Sequence, residues 1–511
     1  MKTVRLLALA LIGAQTLFAQ TRTVPDRVGR IDSFVTVLEQ NRLFNGSVLV
    51  AGKGRIIYSR SVGYADREHR IGNADTTPFN LASLSKPFTS LAVLQLAEKG
   101  KLKLTDPMVK YFPDFPYPTI TIRHLLSQTT GLPQLEQYED RYVKAHPDEL
   151  ITPAKAYADL VSLKQPLSYQ PGDNWSYNNG NYMLLAMLVE KVSRISFPEY
   201  MRKNIFAKAG MKKTYIRGTY SANTPRYIFP NMYDSVYQNV DSLDHTKINT
   251  YYNLGGLPGP GNVISTTEDL FRFDNALNEG KLIDLRFFKQ AWAPVTLNNG
   301  KTFHLRRSTR SYGLGWNVMD EPGKDTVVFH DGHIVGLITI LYKDHTKKFT
   351  IIMHDNMENT AGFFQEVGTI SRILTDQPLI KMELRQSLAR AYGRILVSKG
   401  AEEALLRFNE MKTDTLHYYF EEQEMNTLGY DLLFKAGFPG HVALAEETFK
   451  INVLLYPNHF NTYDSYADAL LRNGKKEAAM AMYEESIRRD PDHHGGQSAM
   501  AMKLAEKEGN K

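Results

Sequence analysis

The β-forming runs of this sequence stand at both ends of the segment between residues 44 and 354, and helical patterns fill its middle. At the first end, Ser47–Ala51 and Arg55–Ser59 are separated by a glycine-containing turn, which predicts a β-hairpin. At the other end, three β-rich runs end at His330, Lys343 and His354 and are expected to pair antiparallel. One sheet built from both ends of the segment indicates an α+β domain.

The middle section of this domain carries two helical patterns. The first runs from Lys86 to Gly100, a glycine that stops the helix. The second, Asn181–Ile195, is apolar over most of its surface, which is typical of a buried helix.

The sequence becomes helix-rich beyond residue 376, and we predict one α+β domain at 25–376 followed by a helical region at 377–511. Three residues of this region recur after 34 positions: Ala445 as Ala479, Phe449 as Tyr483, and Pro457 as Pro491. The period resembles that of tetratricopeptide helical hairpins, with the clearest units at about 426–459 and 460–493. Such arrays usually need three units, and the helices around Ser387–Met411 are candidates for the third. The region either caps the first domain or binds a protein partner.

Charge gives no reason to expect a nucleic-acid partner. The formal net charge is +6, from 61 basic and 55 acidic residues. These charges are dispersed along the chain without a basic block, which is typical of a solvated surface.

Residues 1–19 have the layout of a secretory signal peptide, because Lys2 and Arg5 precede an apolar run from Leu6 to Phe18 and a small residue at Ala19. A membrane anchor is the alternative, but a spanning helix needs about 20 apolar residues, and no later run reaches that length. The chain has no cysteine, so it has no disulfide, thiol nucleophile or cysteine-linked lipid. We therefore expect a soluble protein in the periplasm or outside the cell.

Ser83 and Lys86 form the one S-x-x-K motif of the sequence. Residues three positions apart on a helix are neighbours, so Lys86 can reach the Ser83 hydroxyl at the helix start. A serine needs such a base to become a nucleophile, and a helix N-terminus offers N–H groups to an oxyanion. The motif alone also arises by chance in a chain of this length.

Two further motifs supply groups that suit amide or ester chemistry. In the first, Tyr177 and Asn179 precede the buried helix, where a phenol can relay a proton and an amide can hold a substrate carbonyl. In the second, His330 and Gly332 stand at the end of a predicted edge strand, and the glycine allows close approach to a substrate. The next N–H, that of His333, can then complete an oxyanion hole.

The order of these three motifs within one domain resembles the serine penicillin-recognising hydrolases, a group that includes class C β-lactamases, D-Ala-D-Ala carboxypeptidases, D-aminopeptidases and related esterases. Supporting stretches include "FNLASLSKPFTSLAVLQLAEKGKL", "ITIRHLLSQTTGLP", "VISTTEDLFRF" and "YGLGW", and the resemblance extends from about Pro25 to Ile370. It implies a β-lactamase/transpeptidase-like fold, with an antiparallel sheet flanked by helices.

The resemblance also implies a role for each site residue. Ser83 would be acylated, with Lys86 and Tyr177 sharing the acid–base work in an order that stays open. Asn179 would orient the substrate amide, and the N–H groups of Ser83 and His333 would form the oxyanion hole. Water would then hydrolyse the acyl-enzyme, and no cofactor is implied.

The terminal-strand motif departs from the K-T-G of many β-lactamases, because His330 and Asp331 replace the lysine and the threonine. Histidine is only partly cationic near neutral pH, and Asp331 weakens the local positive field. The departure favours a peptidase or esterase acting on a small molecule or peptide over a β-lactamase. Alternatively, His330 has only a hydrogen-bonding role in its strand.

Three other expectations complete the sequence-based interpretation. A catalytically inert recognition protein is the alternative from another class, although all the motif residues are present. No H-E-x-x-H or comparable spacing predicts a metal site, and we expect none. The acyl pocket is expected from loops 134–153 and 215–262, the second of which is rich in aromatic residues.

Overall fold

The structure is a computed structural model that describes residues 26–66, 70–135, 151–217, 257–305, 308–319, 326–334, 337–356, 360–434 and 439–489. The predicted leader at 1–19 and the end of the second repeat, with Pro491, lie outside these residues. Most of the two predicted pocket loops also lies outside them, at 136–150 and 218–256.

The main sheet is antiparallel and draws its strands from both ends of the first domain, as the sequence predicts. Its strand order is β2-β1-β7-β6-β5-β4-β3. The strands are β1 (Gly46–Gly52), β2 (Arg55–Val62), β3 (Arg310–Tyr312), β4 (Asn317–Met319), β5 (Val327–Ile334), β6 (Leu337–Asp344) and β7 (Phe349–Asp355). The hairpin β1–β2 therefore joins the sheet through β7, the last strand of the domain.

The prediction that the β5 run ends at His330 is wrong. The strand continues to Ile334, and Asp331 to Ile334 pair with β6, opposite Ile340 to Leu337. Polar residues have weak strand propensity, so sequence alone placed the end too early. Tertiary pairing with the apolar strand β6 overrides that preference.

Helices cover both faces of the sheet in the first domain. Its helices are α1 (Arg27–Gln40), α2 (Lys86–Glu98), α3 (Ile122–Ser127), α4 (Pro153–Leu163), α5 (Asn179–Ser193), α6 (Phe197–Met201), α7 (Thr267–Asn278), α8 (Leu285–Phe288) and α9 (Thr360–Leu374). Short strands at Phe79–Asn80, Tyr215–Ile216 and Val263–Ser265 form a small second sheet beside α2. The predicted helices at Lys86 and Asn181 correspond to α2 and α5.

The alternation of side chains along β1 explains the two cores. Val48 and Val50 face one apolar cluster, which α1 and α9 complete, whereas Leu49 and Ala51 face the other, which holds α2 and α5. Successive residues of a strand point to opposite faces, so a sheet covered on both sides is apolar at every position. Strand β1 is accordingly buried from Gly46 to Ala51.

The C-terminal region forms three helical hairpins with apolar clusters of their own. Its helices are α10 (Leu388–Lys399), α11 (Ala401–Met411), α12 (Glu422–Phe434), α13 (His441–Leu455), α14 (Phe460–Arg472) and α15 (Lys476–Arg489). Ala445 and Phe449 on α13 and their predicted repeats Ala479 and Tyr483 on α15 are all buried. A Cβ at Gly429 would lie 2.4 Å from the Phe449 ring, so a small residue lets the helices approach. The tetratricopeptide interpretation itself stays a prediction.

Among the residues that the structure describes, no helix combines the length and apolar character needed to cross a membrane.

Candidate active site

Ser83 lies in a 3₁₀ turn, Ala82–Ser85, that leads directly into α2. In the fully described stretch from Leu81 to Leu96, it is the one residue that is not buried. The turn is held in a tight shape, because Ala82 has a positive φ of 44° and its N–H donates to Asn80 Oδ1 at 2.8 Å. A non-glycine residue in this region is strained, and such strain recurs at functional sites. The turn therefore holds Ser83 at a fixed position where its side chain is accessible to solvent.

Lys86 is fully buried beneath Ser83 and makes three hydrogen-bond contacts through Nζ. Nζ lies 3.0 Å from Ser83 Oγ, 2.8 Å from Asn179 Oδ1 and 2.9 Å from the Pro260 carbonyl oxygen. The carbonyl and the amide oxygen can only accept, so they take two N–H groups of Lys86. The third contact joins Nζ to a hydroxyl, which can also donate. This contact places Lys86 where it can exchange a proton with the Ser83 hydroxyl.

Tyr177 and Asn179 both contact Lys86, and the proton relay predicted for Tyr177 stays a prediction. The ring centroid of Tyr177 lies 4.6 Å from Lys86 Nζ, so the aromatic face is set against the amine. Asn179 is the first residue of α5, which begins two residues earlier than predicted, and its Oδ1 accepts from Lys86. The structure thus gives Asn179 a contact that positions Lys86, while its binding of a substrate amide stays a prediction.

The second half of β5 forms an open edge of the sheet beside Ser83. Its first residues, Val327 to Phe329, pair with β4, but the pairing stops there in the described part of the sheet. From His330 onward, β5 pairs with β6, and its other side faces the 3₁₀ turn. The predicted edge therefore exists, although β5 is an interior strand over its first residues.

Gly332 brings β5 against the turn that carries Ser83. A Cβ at this position would lie 1.9 Å from the Leu81 carbonyl oxygen and 2.9 Å from Thr339 Oγ1. The close approach that requires glycine is therefore to the protein's own backbone, two residues before the nucleophile. His333 follows at an exposed position in the same pocket. The pairing of its N–H with that of Ser83 as an oxyanion hole stays a prediction.

His330 is buried and neutral. Its Nδ1 lies 2.7 Å from the carbonyl oxygen of Asp331, an acceptor, so Nδ1 carries the proton. Its Nε2 lies 3.3 Å from the Tyr312 hydroxyl and accepts from it. Burial, together with the nearby positive charges of Lys86 and Arg310, lowers the pKa of His330 to about 3, against the bond to the Asp331 carbonyl. His330 thus supplies no cation at neutral pH, and it has the hydrogen bonds of a structural strand residue.

The pocket beside Ser83 has a volume of about 170 Å³ and an aromatic wall that sequence reasoning missed. Trp175 stacks on Phe303 with ring centroids 4.8 Å apart, and Tyr312 packs against Trp175 at 5.7 Å. The predicted aromatic loop at 227–239 lies outside the described residues. A signal for Trp175 was available, since it stands two residues before Tyr177, but nothing local marks Phe303.

Arg310 and Asp331 also line this pocket, and Arg310 was not predicted. The Arg310 Nε donates to Asn317 Oδ1 at 3.0 Å, and its Nη2 lies 3.6 Å from Asp331 Oδ1. Burial raises the pKa of the Asp331 carboxyl, and the Arg310 guanidinium opposes that rise. The pocket therefore holds a guanidinium and a carboxyl group that face each other near the nucleophile.

In the part of the chain that the structure describes, no group of three or more histidine, aspartate or glutamate residues is arranged to hold a metal ion.

Comparison with known proteins identifies the family. A family model described as Beta-lactamase matches residues 31–369, which is about two thirds of the chain. The chain belongs to the beta-lactamase family. It is therefore a member of a family of serine hydrolases, as the sequence motifs predict. A penicillin-binding protein of Bacillus subtilis (strain 168) is 35% identical over 358 residues, which cover 68% of this chain and 76% of the relative.

Solved structures share the fold of the first domain. A penicillin-binding protein from Bacillus halodurans superposes with a TM-score of 0.54 at 25% identity, over 66% of this chain and 99% of that one. A D-amino acid amidase from Ochrobactrum anthropi has a TM-score of 0.57 at 22% identity, over 68% of this chain and 99% of that one. The matched share of this chain leaves room for the C-terminal hairpins outside the common fold.

Proposed function

We propose that this protein hydrolyses a small amide or ester through an acyl-enzyme on Ser83. The observation that carries the proposal is the 3.0 Å contact between Lys86 Nζ and Ser83 Oγ, made by a lysine that is fully buried. Burial disfavours the charged form of an amine, which suits a base. The exposure of Ser83 in an otherwise buried stretch leaves its oxygen accessible to a substrate.

In the proposed reaction, Lys86 takes the Ser83 proton as Oγ bonds to the substrate carbonyl carbon. The N–H groups of Ser83 and His333 hold the oxyanion. The bond to the leaving amine or alcohol then breaks, and that group receives a proton through Lys86 and Tyr177. Water attacks the acyl-enzyme, the bond to Oγ breaks, and Ser83 regains its proton.

A peptidase or esterase is favoured over a β-lactamase. Penicillins carry a carboxylate, which a cation at the His330 position would bind, whereas His330 is neutral; the cation of the pocket is the Arg310 guanidinium, which faces the Asp331 carboxyl at 3.6 Å. Penicillin recognition is the second candidate, since a relative at 35% identity is a penicillin-binding protein. The relatives therefore motivate a test with both kinds of substrate.

The test is intact-mass analysis and turnover of the full chain and its Ser83→Ala variant with a fluorescent penicillin and a p-nitrophenyl ester. Ester turnover that the variant loses supports the proposal. A stable penicillin adduct on the wild type alone would show acylation of Ser83 with slow deacylation. If the variant equals the wild type with both probes, the catalytic assignment is wrong and an inert recognition protein becomes the better hypothesis.

The localisation of the protein and the role of its helical region are also proposals. The leader-like pattern at residues 1–19 and the absence of cysteine support export to the periplasm or beyond. The separate apolar clusters of α10–α15 support a module that binds a protein partner. Exposed apolar side chains at Phe434, Leu454 and Leu471 are consistent with such a contact.

A further inference from the structure

Tyr177 lies in the irregular segment 174–178, where neither a helix nor strand pairing holds the backbone. Both peptide N–H groups beside Tyr177 are nevertheless bonded to one residue far away in the sequence, Gln128. The Ser176 N–H donates to the Gln128 carbonyl oxygen at 3.0 Å. The Asn178 N–H donates to the side-chain oxygen of the same residue, Gln128 Oε1, at 3.1 Å. Gln128 therefore holds the chain on both sides of Tyr177.

The side-chain oxygen of Gln128 also holds the start of α5. It accepts a second hydrogen bond, from Asn181 Nδ2 at 2.6 Å. Asn181 lies in the first turn of α5, two residues after Asn179, whose side chain accepts from Lys86. One oxygen atom thus joins the segment that carries Tyr177 to the helix start that carries Asn179. These are the two side chains that contact the buried amine of Lys86 together with Ser83 and the Pro260 carbonyl.

Gln128 itself has a fixed position and no access to a substrate. It caps the C-terminal end of α3 in the left-handed region, with a φ of 64°, and it is fully buried. A non-glycine residue persists in this conformation only where the surrounding structure holds it. Gln128 is absent from the described residues that line the pocket beside Ser83. Its side chain can therefore act on the reaction only through the residues that it holds.

We infer that Gln128 is a positioning residue for the acid–base groups of the site, because its side-chain oxygen sets where the Tyr177 ring stands against Lys86. The inference rests on the proposed hydrolase function and goes beyond it. Without this oxygen, the buried donors of Asn178 and Asn181 lose their acceptor. A buried donor without an acceptor is costly, so the segment shifts to regain one and carries Tyr177 away from its 4.6 Å contact with Lys86.

The test removes the oxygen with Gln128→Met, which keeps the length of the side chain and the backbone carbonyl that accepts from Ser176. Single-turnover stopped-flow with the p-nitrophenyl ester gives the rate constant of acylation and the dissociation constant of the ester. A displacement of roughly 1 Å lowers a rate about 100-fold, so acylation should slow by about that factor. The dissociation constant should change little, because Gln128 does not line the pocket.

Gln95→Met is the matched control. Gln95 is also a buried glutamine, and its side chain donates to the Leu282 carbonyl oxygen at 2.7 Å and accepts from the Tyr200 hydroxyl at 3.2 Å. This variant should lower the thermal unfolding temperature as Gln128→Met does, and it should leave the acylation rate unchanged. Gln128→Glu keeps an acceptor oxygen at the same place in either protonation state, so it should retain most of the acylation rate.

The outcomes separate the inference from the function on which it rests. A wild-type acylation rate in Gln128→Met would overturn the inference, and so would an equal loss in Gln95→Met or in Gln128→Glu. If Gln128→Met does not fold, Asn181→Ala removes one of the two donors to the same oxygen. Slower acylation in that variant would support the inference, and an unchanged rate would overturn it. Failure of the proposed function would instead appear as ester turnover that Ser83→Ala retains.

Discussion

His354 on β7 should make the first domain sensitive to acid. Its side chain is fully buried, and neither ring nitrogen has a hydrogen-bond partner among the described residues. The ring stacks on Phe79 with centroids 4.8 Å apart. Burial lowers the pKa of His354 to about 3, because a charged imidazole would be desolvated there.

The direction of this pH dependence follows from the difference in the pKa of His354 between the folded and unfolded states. Below pH about 6.5 the unfolded chain binds a proton at His354, whereas the folded chain stays neutral until pH about 3. Stability is therefore lost as pH falls through this window. At pH 4.5, which is about 2 pH units below the start of this window, the free energy of unfolding is lower by about 3 kcal/mol, since one unit corresponds to about 1.4 kcal/mol.

The His354→Leu variant removes this titration. We would measure urea unfolding at pH 7.5 and 4.5 by tryptophan fluorescence, which reports on the first domain because all three tryptophans, Trp175, Trp292 and Trp316, lie there. Between the two pH values, the variant should lose about 3 kcal/mol less than the wild type. Other titrating groups contribute equally to both proteins and cancel in this difference.

Phe79→Leu is the control, because it removes the stacking partner and leaves the titrating group. It should lower the unfolding free energy by the same amount at both pH values. If His354→Leu also shifts stability equally at both, then His354 is not desolvated in the way the structure shows, and the reasoning is refuted.

Three further predictions concern the site and its surroundings. Gly332→Ala should displace the Ser83 turn, because its Cβ would clash with the Leu81 carbonyl. A displacement of roughly 1 Å should lower kcat about 100-fold. An unchanged kcat would show that the turn accommodates the added methyl group without moving Ser83. Lys86→Met should lower acylation by about 100- to 10,000-fold, measured by stopped-flow with the ester, unless Tyr177 alone is the base. Burial raises the pKa of Glu366 to about 8, so stability falls as pH rises from about 4.5 to 8. Glu366→Gln should therefore lose less stability than the wild type between pH 5 and 8 in the same fluorescence assay, and a difference from the wild type that is independent of pH would contradict the assignment.

The sheet was predictable because its strands carry long apolar runs. Val48 to Ala51 and Leu337 to Leu341 face apolar clusters on both sides, so composition alone marks them as strands. The short strand at Arg310–Tyr312 has no such run, and three residues are too few for a periodic signal. That is why Arg310 was missed, although it lines the pocket.

The candidate site was predictable in its residue types but not in its contacts. The spacing of Ser83 and Lys86 sets their proximity locally, since one helical turn joins them. The contact of Lys86 with Asn179 spans 93 positions and depends on the packing of α2 against α5. Likewise, the neutral state of His330 follows from burial that its own neighbours in the sequence, Asp331 and Phe329, do not reveal.

Long-range contacts also explain why the nucleophile can be exposed and still rigid. The Pro260 carbonyl that accepts from Lys86 follows Gly259, whose own carbonyl accepts from Thr89 on α2 at 2.7 Å. Gly259 has a φ of 113°, and a Cβ there would lie 2.2 Å from the Tyr182 carbonyl oxygen. Position 259 therefore has to be glycine for this segment to fit against α5, and the segment brings an acceptor to Lys86. The base is oriented by backbone from a part of the chain far from Ser83, so its geometry exists only when the whole domain is folded.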